Sequence, residues 1–405
     1  MTRALARRAA AALATAAALA APAQAAAPPP DISAPSAIVF QPQTGDVLLR
    51  RQADAPRPVA SATKLMTALV VLEQVGLDEV FAAVPYDPAP AESRINLRAG
   101  ERMTVRDLLR ALLLESANDA AATLAARTSG SKAAFVREMN ARARALGLRN
   151  TSFANPIGLD EPGNHSSARD LVTLTNRLRR NAFFRRTVAM RSVRLGSGAR
   201  ERVVDNRNDL IGAAPHVNGV KTGHTQAAGY VLIGSATRDG VNVLSAVLGE
   251  PGEAARDADT VNLLRWGLSR YRRTAIVRPD RVVASSEVRY RPEDRIELVP
   301  ARGLTRILRT GERPRIALAV PRQLEGPLPQ GARAGTMTVR LRGRTIARIA
   351  LVTAQPVPEV SIAERALDRL LEPVTLVIVV LFTMAGGLLA TVLVRRRRAG
   401  REPVS

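Results

Sequence analysis

A chain of 405 residues with 46% hydrophobic and 23% charged residues has the composition of a folded protein with more than one domain, which excludes wholesale disorder. Aromatic residues make up 3%, too few for the stacking platforms that hold sugars or single-stranded nucleic acid. There are no cysteines, so thiol catalysis and Cys-ligated metals are excluded, and the formal net charge is +23.

Both ends carry membrane signals. Met1 to Ala25 holds Arg3, Arg7 and Arg8, an alanine-rich apolar run and the small-x-small triplet Ala23-Gln24-Ala25, the pattern of a secretory signal peptide. Val374 to Val394 reads VTLVIVVLFTMAGGLLATVLV, 21 uncharged residues, enough to cross a bilayer core as a helix. Arg395 to Arg398 follow at once and mark a cytoplasmic tail, 395–405. The body of the chain is therefore expected outside the cell, anchored to the membrane by a single C-terminal pass. Setting aside the leader's three positive charges and the tail's net four leaves +16 outside the membrane. No nucleic-acid partner is expected for such a protein. The excess fits either contact with anionic lipid or wall polymer, or a solvated face from an arginine-rich composition.

Residues 26–35 are a Pro/Ala-rich spacer. Ala37 to Phe40 and Val47 to Arg50 flank a turn-rich segment and predict a hairpin. Leu65, Ala68, Leu69 and Leu72 recur at helical spacing, so a helix opens at Ser61. Thr104 and Asp107 form a capping-box pattern before Leu108, Leu109 and Leu112. A further helix runs from about Lys132 to Leu146 and stops at Gly147. Thr151 to Arg169 lacks periodicity and is rich in Pro, Gly, Asn and Ser; a loop of that length in a compact domain is usually functional. Val217–Thr225, Tyr230–Thr237 and Val241–Gly249 read as three strands, and a helix through Leu263, Leu264 and Trp266 closes the unit near Tyr271. From Arg278 to about Val357, short β-like runs punctuated by Pro and Gly predict a separate small β domain. Ser361 to Leu371 reads as a short amphipathic helix.

Of the 59 basic residues only Lys64, Lys132 and Lys221 are lysines. Ser61 and Lys64 lie three apart at a helix start, on one face, so the amine can reach the hydroxyl. A serine hydroxyl needs a base to become a nucleophile. A buried lysine can be that base, whereas arginine does not deprotonate in a protein. Ser116-Ala117-Asn118 falls at a polar corner between apolar helical runs, and Lys221-Thr222-Gly223 lies on a strand with Gly219 before it. If three lysines were scattered over the basic positions, both would land at 64 and 221 roughly two times in a thousand. His165, His216 and His224 are the only histidines and share no metal-ligand spacing. No metal or cofactor is expected.

The order SxxK, SxN, KTG is similar to that of penicillin-binding proteins and class A β-lactamases. More narrowly, the sequence resembles the D-alanyl-D-alanine carboxypeptidases among the low-molecular-mass penicillin-binding proteins, over Ala37 to about Val357. The stretches that carry the resemblance are PVASATKLMTAL, INLRAGERMTVRDLLRALLLESANDAA, TSFANPIGLDEPGNHSSARDL and VNGVKTGHTQAAGYVLIGSA. It implies an α/β (α+β) penicillin-binding-protein/β-lactamase-like catalytic domain, a sheet flanked by helices, over 36–273. A small all-β domain over 274–358, a juxtamembrane segment over 359–373 and one transmembrane helix over 374–394 would follow.

The resemblance also implies an acyl-enzyme on Ser61 with Lys64 as base and Ser116 relaying a proton to the departing D-alanine. Asn118 would bind the peptide amide of a peptidoglycan stem peptide, and Lys221 and Thr222 its terminal carboxylate, with Gly223 admitting the substrate. The backbone N–H groups of Ser61 and His224 would form the oxyanion hole, the His224 imidazole being a structural or rim group and His165 fixing the long loop. β-Lactams would be covalent inhibitors. Three alternatives stand beside this: a DD-endopeptidase cutting cross-links with the same motifs, a β-lactamase using Asp160 or Glu161 of the long loop, and an inert wall-binding scaffold.

Overall fold

The computed structural model describes residues 28–89, 91–371 and 373–399. The expected signal peptide, 1–25, and residues 400–405 of the expected tail lie outside them. The chain forms two compact units, one ending at Arg273 but including Ile307–Gly311, the other made of Thr274–Arg306 and the residues from Glu312 onward.

In the first unit, β1 (Ser36–Gln41) and β2 (Asp46–Arg51) form the expected hairpin. A 3₁₀ turn, Ala60–Thr63, leads into α1 (Lys64–Gln74). There follow β3 (Val80–Ala82), β4 (Arg102–Thr104), α2 (Val105–Leu113), α3 (Asn118–Ser129) and α4 (Lys132–Ala145). Next come α5 (Ala168–Leu178), α6 (Ala182–Val188), β5 (Ser192–Leu195) and β6 (Arg202–Asp205). The expected strands are β7 (Val217–Thr225), β8 (Gly229–Arg238) and β9 (Val241–Glu250), followed by α7 (Glu253–Ser269). Helix starts follow side-chain chemistry. Thr104 caps α2 by accepting from the Asp107 N–H at 3.3 Å, Ser131 caps α4, Ser167 caps α5 and Asn181 caps α6.

Five of these strands make one antiparallel sheet in the order β2-β1-β9-β8-β7. Strand alternation divides its two faces. Ala37, Val39, Val243 and Val247 pack with Leu263, Leu264 and Leu268 of α7, while Ile38, Leu244, Ala246 and Leu248 face a larger core built on α1 to α5. Helix α1 is buried continuously from Lys64 to Val71, as expected of a helix wrapped by others on all sides. That burial carries Lys64 into the core beside the sheet's end.

The second unit begins in β10 (Tyr271–Val277), which straddles the division, and holds β11 (Ala284–Val288), β12 (Arg291–Pro300) and β13 (Leu304–Arg309), the last extending past Arg306. It continues with β14 (Arg315–Ala319), β15 (Gln323–Leu324), β16 (Arg333–Leu341) and β17 (Arg344–Thr353). Six of these strands form a sheet in the order β14-β16-β17-β12-β11-β15, over a core of Val288, Ile296, Leu298, Met337, Val339, Ile349 and Leu351.

The chain continues into α8 (Ile362–Leu371) and α9 (Pro373–Ala399). Ser361 and Glu364 close a capping box on α8: Ser361 N–H donates to the carboxylate at 2.8 Å, and Glu364 N–H donates to Ser361 Oγ at 3.3 Å. Among the described residues no helix is long and apolar enough to cross a membrane, so the expected span is not met on them. The run does form one continuous helix within α9.

At the C-terminal end of β9, Glu250 and Asp259 of α7 are both buried and share one partner. Ser33 Oγ donates to Glu250 Oε2 at 2.9 Å and lies 3.2 Å from Asp259 Oδ2, which also accepts the N–H groups of Ser33 and Ala34 at 2.7 and 3.1 Å. Burial and the Asp259 carboxyl beside it push Glu250 up to about 7, with Ser33 and Arg51 opposing. The unfolded chain therefore loses this proton near pH 4.5 while the folded chain keeps it to about 7. The folded state then binds more protons, and stability falls with rising pH across that window. Glu250→Gln keeps a donor toward Asp259 and removes the titration. Its melting temperature at pH 8 should exceed that of wild type by a few degrees, roughly the shift of a 1 kcal/mol change, with no gain at pH 4. A wild-type-like pH slope in the variant would assign the slope to other groups.

Candidate active site

The expected helix start at Ser61 is a 3₁₀ turn in which Ala60 adopts φ +48°. Two glycines make room for this turn. A Cβ on Gly158 would lie 2.0 Å from the Ala60 carbonyl oxygen, and one on Gly223 would lie 3.0 Å from Ser61 N and 3.2 Å from Val59 O. The long loop and β7 thus close on the Ser61 backbone from two sides.

Lys64 Nζ is 3.0 Å from Ser61 Oγ and donates at 2.6 Å to the Ile157 carbonyl. The side chain is 0% exposed. Burial, reinforced by the Lys221 cation, holds the amine well below the usual lysine range, while Glu92 opposes the shift. The neutral amine that general-base chemistry requires is thereby favoured.

Ile157 belongs to the expected functional loop, and its position is set by Asn155, whose Oδ1 accepts the N–H groups of Ile157 at 3.2 Å and Gly158 at 2.6 Å. The backbone of His165 closes the base of the loop against Ser152, with both N–H···O distances 2.9 Å. Asp160 accepts from Thr225 Oγ1 at 2.7 Å, tying the loop to the β7–β8 turn. Glu161 accepts from Asn155 at 2.9 Å and faces Lys132 at 3.9 Å. Both loop carboxylates are thus bound in holding the loop.

The SxN residues join α2 to α3. Ser116 has φ +64°, a left-handed conformation costly for a residue with a Cβ, and its buried Oγ has no partner among the described residues. Asn118 opens α3, and its Nδ2 donates to Glu92 Oε2 at 2.7 Å. On β7, Lys221 is 1% exposed and donates to the Thr222 carbonyl at 3.0 Å. Burial, then Arg207 and Arg256, lower it to about 7 against the opposing pull of Glu115. Thr222 is buried beside it. His224 is exposed, with its ring stacked at 4.1 Å on Tyr230.

Sequence reasoning missed Tyr86 and Glu92. Glu92 accepts from the Tyr86 hydroxyl, from Asn118 and, at 3.0 Å, from the Ala89 N–H. Burial would raise its carboxyl, but these hydrogen bonds and the Lys64 charge lower it. No periodicity marks a carboxylate 26 positions before its partner. Among the described residues no group of three or more His, Asp or Glu could hold a metal ion. A concavity of about 920 Å³ lies between α4 and the Gly147–Ser152 segment, but it contains none of the motif side chains, so the chemistry is assigned to the enclosure around Ser61.

A family model described as D-alanyl-D-alanine carboxypeptidase matches residues 23–252. The D-alanyl-D-alanine carboxypeptidase DacA of Escherichia coli (strain K12) is 31% identical over 356 residues, 84% of this chain and 87% of that protein. The D-alanyl-D-alanine endopeptidase of Pseudomonas aeruginosa is 37% identical over 246 residues, 58% of this chain and 77% of that protein. Among solved structures, penicillin binding protein 5 from Haemophilus influenzae superposes with a TM-score of 0.59 at 26% identity, covering 82% of this chain and 100% of that one.

The Gly223 contact generates a direct test. Its φ is not left-handed, so Gly223→Ala adds a methyl group without backbone strain, and the methyl presses on Ser61 N and Ala60 Cβ. If the Ser61 N–H is the oxyanion donor that the sequence leads one to expect, displacing it costs on the order of 10²-fold, so acylation by a β-lactam should slow by about that factor. The melt should shift by no more than the ~1–3 kcal/mol of a local overpacking. An unchanged acylation rate would separate Gly223 from the reacting centre.

Proposed function

The chain belongs to the D-alanyl-D-alanine carboxypeptidase family of serine peptidases, and from that premise we propose the residues that perform the reaction. The protein is a serine D-Ala-D-Ala carboxypeptidase, a hydrolase acting on peptidoglycan stem peptides. Ser61 Oγ attacks the carbonyl between the two terminal D-alanines as Lys64 Nζ takes its proton. The N–H groups of Ser61 and His224 hold the oxyanion, and Ser116 Oγ passes a proton to the departing D-alanine amine. Water then releases the shortened peptide from the acyl-enzyme. Lys221 and Thr222 bind the terminal carboxylate, a charge-assisted contact that selects a free C-terminus. Asn118 binds the peptide amide, and Gly223 leaves the backbone open to substrate. A β-lactam acylates the same serine.

The observation that carries this reading is a lysine amine, fully buried, 3.0 Å from a serine oxygen. The endopeptidase reading is weaker, because the similarity to an endopeptidase spans 58% of the chain and that to a carboxypeptidase 84%. We further propose that 1–25 is a cleaved signal peptide and that α9 is the membrane tether, with the enzyme on the extracytoplasmic side. The support is the 21-residue uncharged run and the exposure along α9 of Val377, Leu381, Phe382 and Leu388, apolar side chains that water would not favour.

Lys64→Arg keeps the charge and the helix propensity but removes the ability to be neutral. It should abolish peptide hydrolysis and penicillin labelling with a melt close to that of wild type. Near-normal labelling would falsify the proton-transfer role. For the tether, truncation before Val374 should release an enzyme that stays in the supernatant at high salt with nearly unchanged activity on a small D-Ala-D-Ala peptide. Sedimentation of the truncated protein with membranes would refute the assignment.

A further inference from the structure

The segment Tyr86–Leu97 is fastened to the start of α3 by two carboxylates. Asp119 accepts from the N–H groups of Ile95 at 3.2 Å and Leu97 at 2.9 Å. Glu92 reaches the other way and grips Asn118 itself. The Asn118 backbone N–H also donates to the Ser93 carbonyl at 2.8 Å, so this residue is tied to the segment through both main chain and side chain. Asn118 is 5% exposed, and its carboxamide has two chemically different ends.

We propose that Glu92 is a positioning residue of the active site, whose carboxylate, held by the Tyr86 hydroxyl and the Ala89 N–H, locks the Asn118 carboxamide in the one orientation that recognises the acylamino group of the substrate. The inference rests on the assignment of Asn118 to the peptide amide made above. Its physical basis is repulsion. A flipped Asn118 would turn its Oδ1 lone pairs onto the Glu92 carboxylate, exchanging a 2.7 Å charge-assisted bond for an oxygen–oxygen clash. With one Nδ2 hydrogen held by Glu92, the second hydrogen and Oδ1 keep fixed directions for the substrate. Tyr86 fixes the carboxylate in turn; burial and Glu92 hold its hydroxyl above the usual tyrosine range, so it stays a donor. The same negative charge acts on Lys64, opposing the effects of burial and of Lys221.

Two measurements on the full chain in neutral detergent separate this role from a structural one. Benzylpenicillin carries an acylamino side chain and penicillanic acid does not, so only the first uses Asn118. Glu92→Ala should slow acylation by benzylpenicillin roughly 10- to 100-fold, the range of a lost hydrogen bond to a charged group, while penicillanic acid changes less than about threefold. Tyr86→Phe should show the same pattern at smaller size. Glu92→Gln removes the charge, so Lys64 loses a favourable partner for its proton and the acid limb of acylation should move to lower pH. An equal fall for both β-lactams, or an unchanged preference with an unmoved acid limb, overturns the proposal. Failure of benzylpenicillin to label the wild-type protein would instead overturn the acyl-enzyme reading.

Discussion

Lys64 Nζ is shielded from water and hydrogen-bonded to a hydroxyl and a carbonyl, with no carboxylate of the described residues in an ion pair with it. A charged ammonium in such a place is expensive, and the protein relieves the cost by favouring the neutral amine rather than by pairing it. The packing of α1 follows from this. A helix buried on every side delivers its first residue into the core, and the 3₁₀ turn before it presents Ser61 at the boundary. Without the enclosure the amine would keep its proton and could not act as the base proposed for Ser61.

The second amine obeys a related logic with a different outcome. Lys221 reaches burial from a strand, and the arginines near it add to desolvation, so its proton is held loosely near neutrality. On the carboxylate-binding role proposed for Lys221, a substrate carboxylate entering beside it would supply the missing countercharge and draw the proton back. Substrate binding and protonation of Lys221 are then linked, so the free enzyme need not carry a buried cation. Around both amines the supporting groups come from separate elements: Ile157 from the loop, Glu92 from the segment before β4, Gly223 from β7.

What the sequence revealed and what it concealed divide along physical lines. The hairpin, the strands β7, β8 and β9 and the helix caps at Thr104 and Gly147 were legible because each depends on neighbours within a few residues: alternation, capping hydroxyls, a left-handed glycine at φ +72°. The Ser61–Lys64 contact was legible for the same reason, three residues being one helical turn. The 3₁₀ geometry of that turn was not, since it is imposed by Gly158 and Gly223 from distant parts of the chain. Nothing between Arg169 and Val217 was assigned. Helix α6 and the β5–β6 ladder there are short, and several of their exposed faces carry arginine, which blurs the apolar period. Glu92 is the clearest case: its meaning lies wholly in a contact across 26 residues. For the membrane run, composition spoke for a span while the described helix does not by itself meet one.

The scarcity of lysine has a chemical consequence. Two of the three side-chain amines are sealed inside the protein, whereas Lys132 is 61% exposed and faces Glu161. An amine-directed acylating reagent therefore meets a surface with one lysine on offer, however many guanidinium groups surround it. That lysine lies at the start of α4, across an ion pair from the loop whose Ile157 carbonyl accepts from Lys64. A fluorophore or crosslinker placed there needs no engineered cysteine, and its signal would come from next to the loop that holds Lys64.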